Sequence, residues 1–142
     1  PDVDFAEDQL WMKQMIELGF KRVYAPEAMV YHSHNYELNT YFKRYYDQYK
    51  AIYRLHQYQM FKNVPRMIYG TLRIIYADLR YIWGRQSQID HKWKWTYSAA
   101  VRDTYRSVAA YIAGKYEGYS EKTKRYLDRR ISQQYDQINS KG

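Results

Sequence analysis

Glu7 and Asp8 form an acidic pair at the head of an amphipathic segment, and a His32-Ser33-His34 triplet follows a short apolar run. A carboxylate one hydrogen bond from an attacking hydroxyl can act as a general base. The first turn of a helix favours the ionised form, because the helix N-terminus carries partial positive charge. Imidazoles nearby can ligate a divalent ion or donate to a diphosphate. Each group also has a plainer reading. Acids are common in first turns, and Asp4 with Glu7 has the spacing of a capping box. Histidines two residues apart on a regular strand share a face, and a hydrogen-bonded loop accounts for them as well. Two histidines do not complete a metal site, and no HExxH motif accompanies them. His56 falls on a helix face and reads as structural, while His91 has no defined chemical partner.

The elements that must position these groups follow from periodicity. A helix over about residues 6–18 places Trp11, Met15 and Leu18 near one face, and Gly19 is its natural stop. Lys21 to Tyr24 and Ala28 to His32 read as short strands joined by the turn Ala25-Pro26-Glu27. The remainder reads as helix. From Leu38 to about Phe61, apolar or aromatic positions recur at Leu38, Phe42, Tyr45, Tyr49 and Ile52. Asn63-Val64-Pro65 breaks that segment, and Pro65 suits the start of the next helix. Ile68, Leu72, Ile75, Leu79 and Ile82 then form a 4-3-4-3 apolar seam. Arg66, Arg73 and Arg80 make a separate seven-residue stripe, and Tyr69, Tyr76 and Trp83 another. A third long helix over 95–113 turns Tyr97, Val101, Tyr105, Val108 and Ile112 inward. Ser120 caps a last helix through about Ile138. The expected fold class is therefore mainly α, with a short β element near the N-terminus followed by long helices.

A chain of 142 residues fits one domain and can bury a sizeable core. Tyrosine supplies 19 residues, each with an apolar ring and a hydroxyl that needs a partner. Lys and Arg number 23 against 15 Asp and Glu, so the chain carries +8 and attracts polyanions: nucleotide phosphates, anionic lipid or nucleic acid. There is no cysteine, which rules out disulfides, thiolate nucleophiles and zinc–thiolate sites. No apolar run of membrane-spanning length and no signal peptide is visible. The absence of a zinc-finger, RRM or helix-turn-helix pattern weighs against nucleic acid. The arginine stripe beside the apolar seam leaves an anionic membrane surface open as a partner, with a soluble bundle carrying a basic exterior as the plain alternative.

The stretch FAEDQLWMKQMIELGFKRVYAPEAMVYHSHNYELNTYFKRYYDQYK, Phe5 to Lys50, joins these features in one order. An acidic pair leads a helix that ends in glycine. A strand, a proline turn and a strand running into histidine follow, and then an aromatic, basic segment. This constellation resembles the C-terminal part of family 2, GT-A type, bacterial glycosyltransferases, of the rhamnosyltransferase-like branch. The resemblance covers about the first third of the chain. It implies that residues 1–36 end a catalytic GT-A domain of α/β type and that residues 37–142 are a helical C-terminal extension. It further implies Asp8 as catalytic base, Glu7 beside the acceptor, and His32 with His34 as second choice at a metal–diphosphate group. Trp11 would support the acceptor wall, and Lys43 and Arg44 would approach phosphate.

The activity so implied is inverting transfer of a sugar, rhamnose first, from a nucleotide-sugar to a cell-surface polysaccharide or lipid-linked acceptor. A divalent metal, Mg or Mn, would serve the complete enzyme. Such relatives bind the nucleotide through an N-terminal lobe with a DxD motif. Asp2-Val3-Asp4 has those letters but lies too close to the acidic pair to replace it. The chain therefore reads as a C-terminal portion with little activity alone, whose partner is the nucleotide-sugar-binding lobe. It is expected in the cytoplasm at the inner face of the membrane, and exposed strand edges make a homodimer an open possibility.

Overall fold

The computed structural model describes residues 7–28, 36–84 and 88–135. Among the described residues the helices are, in order, α1 (Glu7–Glu17), α2 (Leu38–His56), α3 (Val64–Ile82), α4 (Lys92–Ala113) and α5 (Glu121–Ile131). A single 3-10 turn, Tyr116–Gly118, separates the last two. Helix α4 lies at the centre, with α2 and α3 packed against it and α5 against α2.

The expected β element is not found: no strand occurs among the described residues, and the fold there is entirely α-helical. Lys21 to Tyr24 is irregular backbone with exposed side chains. A strand needs a neighbour to take its backbone hydrogen bonds, and no described segment offers one. Most of the second expected strand, 29–32, lies outside the described residues.

Local chemistry sets the helix ends. Gly19 closes α1 with φ +90°, a conformation that costs glycine little. Helix α2 stops at His56, five residues short of the expected Phe61. Gln57 turns left-handed at φ 53° and its N–H bonds back to Tyr53 O at 2.7 Å. That early stop frees Phe61 to leave the helix and bury against α3. At α3 the Asn63 side chain accepts from Arg66 N at 3.0 Å, with Pro65 in the first turn, as the sequence pattern requires. Ser120 caps α5 by accepting from Thr123 N. Helix α5 breaks at Ser132, whose Oγ accepts from Tyr135 N, and residues 133–135 are helical again; the expected end near Ile138 lies outside the described residues.

The core is small and partly polar. Tyr46, Ala109, Ala113 and Tyr116 are buried at its centre, with Phe42, Leu127 and Ile131 packed around them. Small residues on α4 let the neighbouring helices approach closely, and tyrosines fill the remaining space. Many of the polar members are partnered, although Asp47 Oδ1 and Ser107 Oγ have no hydrogen-bond partner among the described residues. Asp128 Oδ1 accepts from Tyr46 OH at 3.2 Å and Lys50 Nζ at 3.1 Å, while its Oδ2 accepts from Tyr116 OH. Lys50 Nζ also stands 4.9 Å from the Tyr116 ring centroid, a cation–π distance. Asp47 Oδ2 accepts the backbone N–H groups of Gln133 and Gln134 at 2.7 and 3.0 Å. These contacts join α2 to α5 and to the helical residues 133–134 beyond it.

Candidate functional site

Asp8 lies in the first turn of α1, where the sequence pattern puts it, and its side chain is exposed to solvent. The backbone of Glu7 opens the same helix. Trp11, one turn on, is 62% exposed. Exposure continues along the segment through Ile16, Leu18, Phe20, Val23 and Tyr24. The helix therefore presents its acid and its apolar side chains to solvent together. Lys13 Nζ ties α1 to the bundle by donating to Leu55 O at 3.0 Å, near the C-terminal end of α2.

His32 and His34, the proposed metal or diphosphate contacts, lie outside the described residues. Lys43 and Arg44 are half-buried on α2. The Arg44 guanidinium stands 5.2 Å from the Tyr36 ring centroid. Both cations precede Leu55 by three helical turns, roughly 17 Å along the axis. The anchor of α1 and the proposed phosphate contacts thus occupy different stretches of α2. Among the described residues no three His, Asp or Glu side chains gather to hold a metal ion.

A polar concavity not apparent from the sequence pattern lies among the described residues. It is an open groove of about 800 Å³ between the C-terminal half of α3 and the N-terminal half of α4. Asp78 and Asp103 face it, with Lys94, Trp95, Tyr41 and Arg102 on its walls. Asp103 is only 5% exposed, and its Oδ2 has no hydrogen-bond partner among the described residues. Burial, reinforced by the neighbouring Asp78 charge, pushes its carboxyl up to about 6, while Arg106 opposes the rise. Arg106 Nη2 is 3.9 Å from Asp103 Oδ1, a long contact that relieves the burial only in part. Such a carboxyl can hold a proton just below neutral pH. Arg102 leaves the groove wall to donate to Tyr36 O at 3.1 Å, and so fixes the backbone just ahead of α2. One signal was available in the sequence: Asp78 is the only acid of α3 and Asp103 the only acid of α4.

Comparison with known proteins finds a partial likeness. Over 42 residues the chain is 48% identical to the O-antigen chain rhamnosyltransferase RfbN of Salmonella typhimurium and, to the same degree, to the O-antigen chain rhamnosyltransferase WbaN of Salmonella anatum. The matched stretch is 30% of this chain and 13% of each relative. No family model matches the chain, and no solved structure matches it. Over that stretch the chain is distantly related to these rhamnosyltransferases, a likeness at the level of a broad family 2-like glycosyltransferase group. No helix among the described residues is long and apolar enough to cross a membrane.

Proposed function

We propose that this chain is the C-terminal portion of an inverting glycosyltransferase. The enzyme would move a sugar, rhamnose by analogy with the relatives' names, from a nucleotide-sugar to a cell-surface polysaccharide acceptor. The observation that carries this reading is the 48% identity over 42 residues to two O-antigen chain rhamnosyltransferases. Residues 1–36 would close the catalytic domain, and residues 37–142 would form its helical extension. The solvent-exposed Asp8 beside an uncovered apolar series suits a segment whose partner is a nucleotide-sugar-binding lobe.

In this reading Asp8 takes the proton of the acceptor hydroxyl. The oxygen attacks the anomeric carbon, the bond to the diphosphate breaks, and the nucleoside diphosphate leaves with the electron pair. Attack opposite the leaving group inverts the configuration. Glu7 and Trp11 would line the acceptor side, and Lys43 and Arg44 would neutralise phosphate. His32 and His34 would attend the diphosphate. The enzyme would work in the cytoplasm at the inner face of the membrane, where lipid-linked acceptors are presented.

The test supplies nucleotide-linked rhamnose and an O-antigen acceptor to the 142-residue chain, then to the same chain joined to a nucleotide-sugar-binding lobe. The chain alone should show no turnover. In the joined protein Asp8→Asn should lower kcat by about 10²- to 10⁴-fold with little change in donor KM. Full activity of that variant would remove the assignment of Asp8 as base.

A further inference from the structure

The apolar seam that dominates α3 in the sequence does not face the core along its whole length. Ile82 is buried and Ile75 half-buried, but Ile68 is 53% and Leu72 60% exposed. Met67, Thr71 and Ile82 are on the more covered side of the helix, and two of the five seam residues turn outward.

The outward side is ordered. At 3.6 residues per turn, positions seven apart return to nearly the same direction, about 20° apart. Moving around α3 from its buried edge, the surface passes from Ile68 and Leu72 to the row Tyr69, Tyr76 and Trp83. It then reaches the row Arg66, Arg73 and Arg80. All eight side chains are exposed, and together they span roughly 160° of the helix surface. Asp78, the helix's sole acid, faces the groove with α4 instead. The aromatic row continues onto α4, because Trp93 meets Trp83 edge-on with ring centroids 5.0 Å apart. Lys92 Nζ adds a cation 5.8 Å from the Trp83 ring.

Apolar, then aromatic, then cationic is the order in which a helix lying in a bilayer surface meets acyl chains, the headgroup boundary and lipid phosphate. A second copy of the chain suits this face poorly, since pairing it with itself would oppose three arginines with three arginines. Nucleic acid would satisfy the arginines but leave Ile68 and Leu72 in water. We propose that the outer face of α3, extended by Trp93 and Lys92, docks on an anionic lipid bilayer. Ile68 and Leu72 enter the acyl boundary, Tyr69, Tyr76 and Trp83 sit at headgroup level, and Arg66, Arg73 and Arg80 contact lipid phosphate. This surface stands independently of the glycosyltransferase reading, because none of its residues belongs to that site.

The test is flotation of the 142-residue chain with phosphatidylcholine vesicles, with and without phosphatidylglycerol, alongside tryptophan fluorescence. Binding should require phosphatidylglycerol, weaken with salt and shift the tryptophan emission to the blue. Arg73→Gln with Arg80→Gln should weaken partitioning by about 25-fold, roughly fivefold per arginine. Arg125→Gln with Arg129→Gln on α5 removes the same charge from exposed positions and should weaken it much less. Leu72→Asp should reduce vesicle binding while leaving the thermal transition and retention on heparin intact. Equal losses for the two arginine pairs, full binding by Leu72→Asp, or a chain that ignores vesicles but dimerises through Leu72 would each overturn the proposal.

Discussion

At the scale of single residues, the chain keeps its buried charges by giving nearly every one a partner, and Asp103 is the weakly served exception. Asp47 accepts two backbone N–H groups, and Asp128 receives two tyrosines and a lysine. Asp103 has a long contact to Arg106 and a second carboxyl as neighbour. Its folded-state value of about 6 lies above the ordinary 3.8. Between these values the folded chain binds more proton than the unfolded chain, so stability falls as pH rises through about 6. Asp103→Asn removes that liability. The variant should melt about 4 °C higher than the native chain at pH 8, the shift given by roughly 1 kcal/mol in a domain of this size. The gain should shrink toward zero at pH 4. A pH-independent difference in melting temperature would show that Asp103 does not titrate in this range.

At the scale of elements, helix existence was legible and helix orientation was not. The caps Asn63 and Ser120 and the stop at Gly19 are local signals, and they mark real ends. The inward faces depend on partners far along the chain. On α2 the expected face does pack on the core through Phe42, Tyr45 and Tyr49, yet the fully buried residues lie beside it and include the polar Tyr46, Asp47 and Lys50 along with Ala51 and Leu55. Asp128, the acceptor that makes two of them affordable inside, lies 78 residues beyond Lys50. On α4, Tyr97 and Tyr105 are exposed where an inward seam was expected, because Ala109, Ala110 and Ala113 provide the close helix contacts. The β element failed for a related reason: strand-like composition at 21–24 has no described neighbour to pair with. At the candidate site, Asp8 and its helix were legible, while the Asp78–Asp103 pair required knowing that α3 packs on α4.

Helix α3 also makes a close approach, at Gly70, to the connection that precedes it. A Cβ there would stand 2.5 Å from Cε1 of Phe61, which is 5% exposed. Phe61 is held by the irregular segment created by the early end of α2, so it has little room to retreat. Gly70→Ala gains helix propensity of about 1 kcal/mol but overpacks the site by about 1–3 kcal/mol. The net effect in urea unfolding should be destabilising. Adding Phe61→Leu should make the alanine favourable, a positive coupling in a double-mutant cycle. Additive effects of the two substitutions would mean that the ring and the glycine are not in contact.

At the scale of the whole molecule, stability is unevenly distributed. Helices α2, α4 and α5 share the buried cluster and its polar contacts. Helix α1 instead exposes Trp11, Ile16 and Leu18 and is tied in by Lys13 to Leu55 O. A surface lysine bond contributes about 1 kcal/mol, far less than the apolar burial that secures the other helices. An 11-residue helix is also short for independent stability in water. Helix α1 should therefore open locally at a free energy near zero, while α2 and α4 exchange their amide hydrogens only by global unfolding. Hydrogen exchange on the 142-residue chain should show α1 amides labelled first, with protection independent of the urea concentration that unfolds α4. If α1 instead matches α4 in protection, its apolar side chains are covered in solution. Addition of a nucleotide-sugar-binding lobe should convert the first pattern into the second, and it should do so without altering vesicle binding through α3.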